Sequence, residues 1–186
     1  MGLIRNLQPE RSSEQDEPSR FEETILPHLD AAYNLARWLT RNDQDAEDMV
    51  QEACLRAFKS FDGFYGVQAK AWLLTIVRNT CYTWLGKNRT HDLSTSLDED
   101  VHQAESQVPD PQTLLLTFED NQALQQALEE LPAEFREVLI LRELEGLSYK
   151  EIADVTGIPP GTVMSRLARA RGRLKLSLAA RMNKER

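Results

Sequence analysis

The 27 residues from Ser148 to Leu174, SYKEIADVTGIPPGTVMSRLARARGRL, leave the backbone few choices. Ser148 followed three residues later by Glu151 is a capping box, which opens a short helix. Ile152, Ala153 and Val155 give that helix apolar contacts. GIPPG then forces a tight turn, because Pro159 and Pro160 can begin a helix but cannot lie inside one. The next helix starts near Pro160 and runs to Leu174 or beyond. At 100° per residue, Val163, Leu167, Ala170 and Leu174 form one side of it. Ser165, Ala168, Arg169 and Gly172 lie opposite, with Arg166 and Arg173 along one edge and Met164 and Arg171 along the other. A short helix, a tight turn and a second helix with an apolar back and a basic front make a helix-turn-helix. Such a front fits a DNA major groove, where arginines reach base edges or phosphates.

That basic helix belongs to an acidic chain, with 22 Lys and Arg against 30 Asp and Glu in 186 residues. The imbalance is local. From Asp92 through Glu134 there are eleven acids and no Lys or Arg, so the remainder carries 22 − 19 = +3. From Thr162 to Arg186 there are eight basic residues and one acid, Glu185. Segregation of charge into an acidic middle and a basic end points to a nucleic-acid surface and a separate acidic segment.

The rest of the chain reads as helix, and the fold class as all-α, with two small helical domains joined by an acidic flexible linker. Residues 1–19 form a polar arm without the apolar core of a signal peptide. No run approaches a membrane span, so cytoplasmic residence and no membrane insertion are expected. Residues 20–90 form the first domain. Phe21, Ile25, Leu29, Ala32 and Leu35-Ala36 recur at helical spacing, with a kink or early turn at Pro27. In NDQDAEDMVQEACLRAFKSF, Asn42 or Asp43 caps a helix whose stripe is Ala46, Met49-Val50, Ala53 and Ala57. DGFYGVQ interrupts the pattern. AKAWLLTIVRNTCYTWLGKNR resumes it, with Trp72, Ile76, Asn79-Thr80 and Thr83-Trp84 at helical intervals. Residues 91–111 are polar and acidic with two prolines, the composition of a linker. Residues 112–177 form the second domain: Leu114-Leu115, Phe118, Leu124 and Leu128, then LPAEFREVLILRELEG closed by Gly146, then the helix-turn-helix. Residues 178–186 read as a basic tail. Cys54 and Cys81 form no CxxC pair and, with His28, His91 and His102, no metal-ligand spacing. They read as reduced, at least partly buried thiols; neither a metal nor a cofactor is expected.

ALEELPAEFREVLILRELEGLSYKEIADVTGIPPGTVMSRLARARGRL resembles domain 4 of the bacterial extracytoplasmic-function (ECF) sigma factors. DAEDMVQEACLRAFKSFDGF and AWLLTIVRNTCYTWLGKNR resemble domain 2 of the same group. A helix-turn-helix alone is unspecific, whereas the two modules in this order are highly specific and match the group's minimal layout. The resemblance implies a factor that binds core RNA polymerase, through the β′ clamp helices and the β subunit, and directs it to promoters. Domain 2 would read the −10 element and domain 4 the −35 element of promoter DNA. It also implies control by an anti-sigma factor.

Carried over residue by residue, the resemblance places polymerase contacts at Asp48, Gln51 and Glu52, which share one helix face by their spacing. It places −10 contacts at Asn79, with Tyr82, Thr83, Lys87 and Arg89 along the same helix and its end. Phe64 and Tyr65 would stack on an unpaired base or else pack beneath their loop. Trp72 and Trp84 read as core. The −35 element falls to Thr162, Ser165, Arg166, Ala168, Arg169 and Arg173. Two departures stand out. LLTIVRN replaces the paired tryptophans of primary sigma factors, which implies weaker melting and a need for near-consensus promoters. Met164 stands where many relatives carry Lys or Arg, which removes one hydrogen bond to DNA. The acidic linker reads either as a solvated tether or as a mimic of nucleic acid in a basic polymerase channel. A two-domain regulator that does not join the polymerase is the competing class, but the N-terminal half offers neither a pocket signature nor a heptad seam. An enzyme is disfavoured by the lack of paired carboxylates, a phosphate loop or a Cys/His nucleophile arrangement.

Overall fold

In the computed structural model, residues 13–64, 66, 68–88 and 122–184 are described. The arm up to residue 12, the linker at 91–111 and Leu114, Leu115 and Phe118 lie outside them. Four helices form a first group: α1 (Ser13–Ile25), α2 (Leu29–Thr40), α3 (Asp43–Lys59) and α4 (Ala69–Asn88). Four form a second: α5 (Gln122–Glu129), α6 (Ala133–Leu139), α7 (Tyr149–Thr156) and α8 (Pro160–Lys184). Among the described residues there is no strand.

Local chemistry sets most of the boundaries. Pro27 lies in a 3-10 turn between α1 and α2, so of the expected kink or early turn the structure has the turn. The side chain of Asn42 accepts the Asp45 N–H and caps α3. Gly146 and Gly157 end their segments at φ 68° and 71°, a region that other residues adopt at a cost. Between α6 and Gly146 the chain widens into a π-turn at Ile140–Leu144, where the Glu145 N–H reaches back five residues to the Ile140 carbonyl.

Two expected boundaries shift. α1 begins at Ser13, inside the polar arm. α8 runs to Lys184, through the expected basic tail, because Leu178 continues the stripe four residues after Leu174 and is buried beside Leu124 and Leu128. The stripe on α4 also differs. Ala71, Leu73, Leu74, Val77, Thr80 and Cys81 are buried, whereas Asn79 and Thr83 are exposed. α4 is covered on two sides, by α2 and α3 and by α7, so one narrow apolar stripe does not describe it.

The two groups pack on each other. One apolar cluster holds Leu35, Leu39, Leu74 and Val77 together with Val138, Leu141, Ile152, Val155, Val163 and Leu167. A second holds Leu124, Leu128, Leu139, Leu174 and Leu178, and takes in Trp38 from α2. Polar contacts cross the same seam: Lys70 Nζ lies 2.8 Å from Glu145 Oε2, and Asn34 Nδ2 donates to Glu145 Oε1 at 3.3 Å.

Candidate functional site

The capping box is fully formed. The Ser148 side chain accepts the Glu151 N–H, and the Glu151 carboxylate accepts from the Ser148 N–H at 2.8 Å and its hydroxyl at 2.7 Å. These hydrogen bonds from Ser148 hold the Glu151 carboxyl below its ordinary pKa. α7 is thereby fixed ahead of the turn, and Thr162 and Val163 N–H groups bond back to the Pro159 carbonyl as α8 starts. Val163, Leu167, Ala170 and Leu174 are buried, as the wheel predicts.

The outer side of α8 sorts its predicted residues into two sets. Ser165, Ala168 and Arg169 are exposed, Thr162 is half-buried, and Met164 is 56% exposed. Arg166 turns inward instead: its Nη1 lies 3.7 Å from Glu137, whose side chain is fully buried. Arg173 stacks its guanidinium over the Phe135 ring at 4.8 Å, so it braces α8 against α6. Farther along, Arg171 pairs with the buried Glu143 at 2.5 Å, and Arg181 with Glu130. The basic helix is thus anchored by acids on its own domain.

On α3, Asp48 and Gln51 are exposed, and Glu52 is half-buried with its carboxylate 2.7 Å from Arg56 of the same helix. Leu55, 58% exposed, lies on the helical wheel between these three positions. It is absent from the sequence-based set because the carried-over motif is polar. Its signal was an apolar residue off the buried Ala46–Ala53–Ala57 stripe.

The α4 set divides as well. Asn79, Thr83 and Lys87 are exposed, and the Thr83 hydroxyl donates to the Asn79 carbonyl. Tyr82 is drawn to the second domain. It lies under the Arg78 guanidinium at 4.5 Å and hydrogen-bonds Glu137. Burial, with the charge of Glu137, pushes its phenol well above the usual value. Phe64 packs down rather than out, 4.6 Å from Trp72 and stacked 6.0 Å from the buried Phe61. A Cβ at Gly66 would meet its ring at 3.2 Å, so the glycine makes room for this packing. Trp72 and Trp84 are half-buried. Tyr65 and Arg89 lie outside the described residues. Cys81 is buried, its thiol pushed up to about 12 by desolvation, and Cys54 is half-buried. Among the described residues, no group of three or more His, Cys, Asp or Glu is placed to hold a metal ion.

Two family descriptions match these two groups of helices: Sigma-70 region 2 over residues 24–91 and Sigma-70, region 4 over residues 121–174. The ECF RNA polymerase sigma-E factor of Escherichia coli (strain K12) is 37% identical over 134 residues, covering 68% of this chain and 70% of the relative. The chain belongs to the ECF sigma factors.

The ECF RNA polymerase sigma factor SigE of Mycolicibacterium smegmatis is 35% identical over 159 residues, covering 86% of this sigma factor but only 62% of the relative's length. Among solved structures, the sigma factor RpoE of Bartonella quintana, in complex with the anti-sigma factor NepR, matches with TM-score 0.68 and 34% identity. That match covers 87% of this chain and 98% of the other. CnrH, in complex with the cytosolic domain of CnrY, shares the fold at TM-score 0.62 and 24% identity, over 91% and 92% of the two chains. Among the described residues of the sigma factor, no helix is long and apolar enough to cross a membrane.

Proposed function

We propose that this chain binds core RNA polymerase and directs it to a set of promoters, without catalytic chemistry of its own. The observation that carries the reading is one chain with two differently charged helix faces. α3 offers Asp48, Gln51, Glu52 and Leu55 to a protein, and α8 offers Ser165, Ala168 and Arg169 to DNA. In this reading α3 docks on the β′ clamp helices, and a further contact is made with the β subunit. Asn79, Thr83 and Lys87 on α4 face the −10 element. α8 enters the major groove at the −35 element, where Arg169 is the candidate base reader. Both partners place the protein in the cytoplasm. RpoE was solved with an anti-sigma factor, which supports control of this chain by a partner of the same kind.

Transcription reconstituted with core polymerase tests the proposal, with genome-wide mapping of transcript 5′ ends after overexpression. A shared pair of elements upstream of the new start sites, transcribed in vitro only when the chain is added, is expected. DNA binding with no gain in transcription from core polymerase would instead identify a regulator that does not join the enzyme.

A further inference from the structure

Met164 is 56% exposed, and among the described residues it is the one large hydrophobic side chain of the second group left exposed. Folding does not call for it, because the back of α8 is already filled by Val163, Leu167, Ala170 and Leu174. It lies four residues after Pro160, in the first two turns of α8. That is the part of a recognition helix that meets base edges. Ala168 follows one turn later on the same side and is exposed as well, so the two make an apolar edge. Arg169 stands on the opposite edge, about 140° round the helical wheel and about 7.5 Å along the axis from Met164. Ser165 lies between them. Its hydroxyl donates to the Thr162 carbonyl at 3.0 Å, so its one donor is spent within the helix.

Base pairs offer different chemistry to the two edges of this face. Guanine shows two acceptors in the major groove and suits an arginine. A thioether has no hydrogen to donate and cannot answer them. The apolar group that a base edge presents there is the C5-methyl of thymine. A methionine side chain is long, unbranched and polarisable, so it can follow a methyl group without a single fixed rotamer.

We propose that Met164, with Ala168, reads the C5-methyl group of a thymine in the −35 element, at a base pair other than the one read by Arg169. The inference rests on the promoter reading of α8 and adds the base selected at that position. A Lys or Arg there would favour guanine, whereas Met164 favours thymine. Burying the methyl group against the side chain corresponds to about a fourfold gain in affinity.

The test uses holoenzyme reconstituted from the full chain and core polymerase, with promoter duplexes carrying the −35 element mapped from its transcripts. Each thymine of that element, on either strand, is replaced in turn by deoxyuridine, which removes the methyl group and nothing else. One replacement is expected to weaken binding about fourfold, and Met164→Ala should lose most of that difference. At the same position, 5-methylcytosine paired with guanine should bind better than unmodified cytosine, because it restores the methyl group. Met164→Lys should move the preference there from T·A towards a pair containing guanine. Met164→Ala should leave the thermal midpoint in place, because the side chain is exposed. If no deoxyuridine replacement weakens wild-type binding, or if Met164→Ala keeps the full sensitivity, the methyl assignment is overturned, while a remaining −35 preference upholds the promoter reading. Wild-type binding that ignores a scrambled −35 element would refute both.

Discussion

α3 and α8 are both long helices with a buried back, yet they meet the solvent differently. On α3, Asp48 and Gln51 stand outward, and the half-buried Glu52 pairs with Arg56 of the same helix. On α8 most of the basic residues are already engaged by the protein: Arg166 by Glu137, Arg171 by Glu143, Arg181 by Glu130, and Arg173 by the Phe135 ring. Arg169, Ser165 and Ala168 remain outward. The face of α3 proposed for the polymerase is therefore mostly open to solvent, and the face of α8 proposed for the promoter only in part.

The largest expected effect separates the two helices through the core. Leu167 is buried on the back of α8 and packs into the cluster that spans both domains. Leu167→Ala should cost about 2–5 kcal/mol of stability, read by chemical denaturation, and remove −35 recognition. The chain should still co-purify with core polymerase through α3. Loss of both activities together would show that α3 depends on the second domain, contrary to the comparison.

Next comes the docking face itself. Leu55→Asp places an unpaired charge at the centre of Asp48, Gln51 and Glu52, and should weaken polymerase binding by about 2–3 kcal/mol in a competition assay. Because Leu55 is exposed, folding stability should move by only about 0.5 kcal/mol. Glu52→Lys should act in the same direction. Undiminished polymerase binding in both variants would remove α3 from the interface.

Arg169 and Arg173 sharpen the assignment on α8. Arg169→Ala should cost about 1–3 kcal/mol and relax the preference at one base pair of the −35 element, read by titrating promoter variants with holoenzyme. Arg173, at the edge of the wheel's outward face, falls by resemblance among the −35 residues. Its place over Phe135 predicts instead a loss of folding stability of about 0.5–1 kcal/mol from Arg173→Ala, with base preference unchanged. A uniform loss across all −35 variants for Arg169→Ala would move Arg169 to the phosphate contacts.

What was legible in the sequence follows the range of the forces involved. The capping box at Ser148, the turn at Gly157 and the stripe Val163–Leu167–Ala170–Leu174 depend on neighbours a few residues away, and each is present as read. The stripe on α4 was misread because that helix is covered from two sides, and its second cover lies beyond the linker. The ties that hold Arg166 and Tyr82 in this structure were hidden in the sequence for a similar reason. Their partner, Glu137, lies 59 residues from Arg78 along the chain, and no local pattern announces that pairing. Leu55 is legible as an apolar residue off the buried stripe of its helix, whereas the motif carried over by resemblance is polar.

The smallest effects concern how each helix is started. α3 is capped from one side only, by the Asn42 side chain accepting the Asp45 N–H at 3.0 Å. α7, which sets the position of α8, is capped reciprocally by Ser148 and Glu151. Asn42→Ala and Ser148→Ala should each destabilise by about 1 kcal/mol, with the larger loss at Ser148, where bonds in both directions are broken. The Glu151 carboxyl adds a pH signature that Asn42 lacks. Its pKa is depressed in the folded chain, so its contribution is fully present above the unfolded carboxyl value near 4.5. That contribution disappears as pH falls through the lower, folded value. Thermal unfolding of the wild type and Glu151→Gln across the acid range should therefore differ near neutrality and converge as the carboxyl protonates. A constant difference at every pH would mean that Glu151 acts through its shape and not its charge.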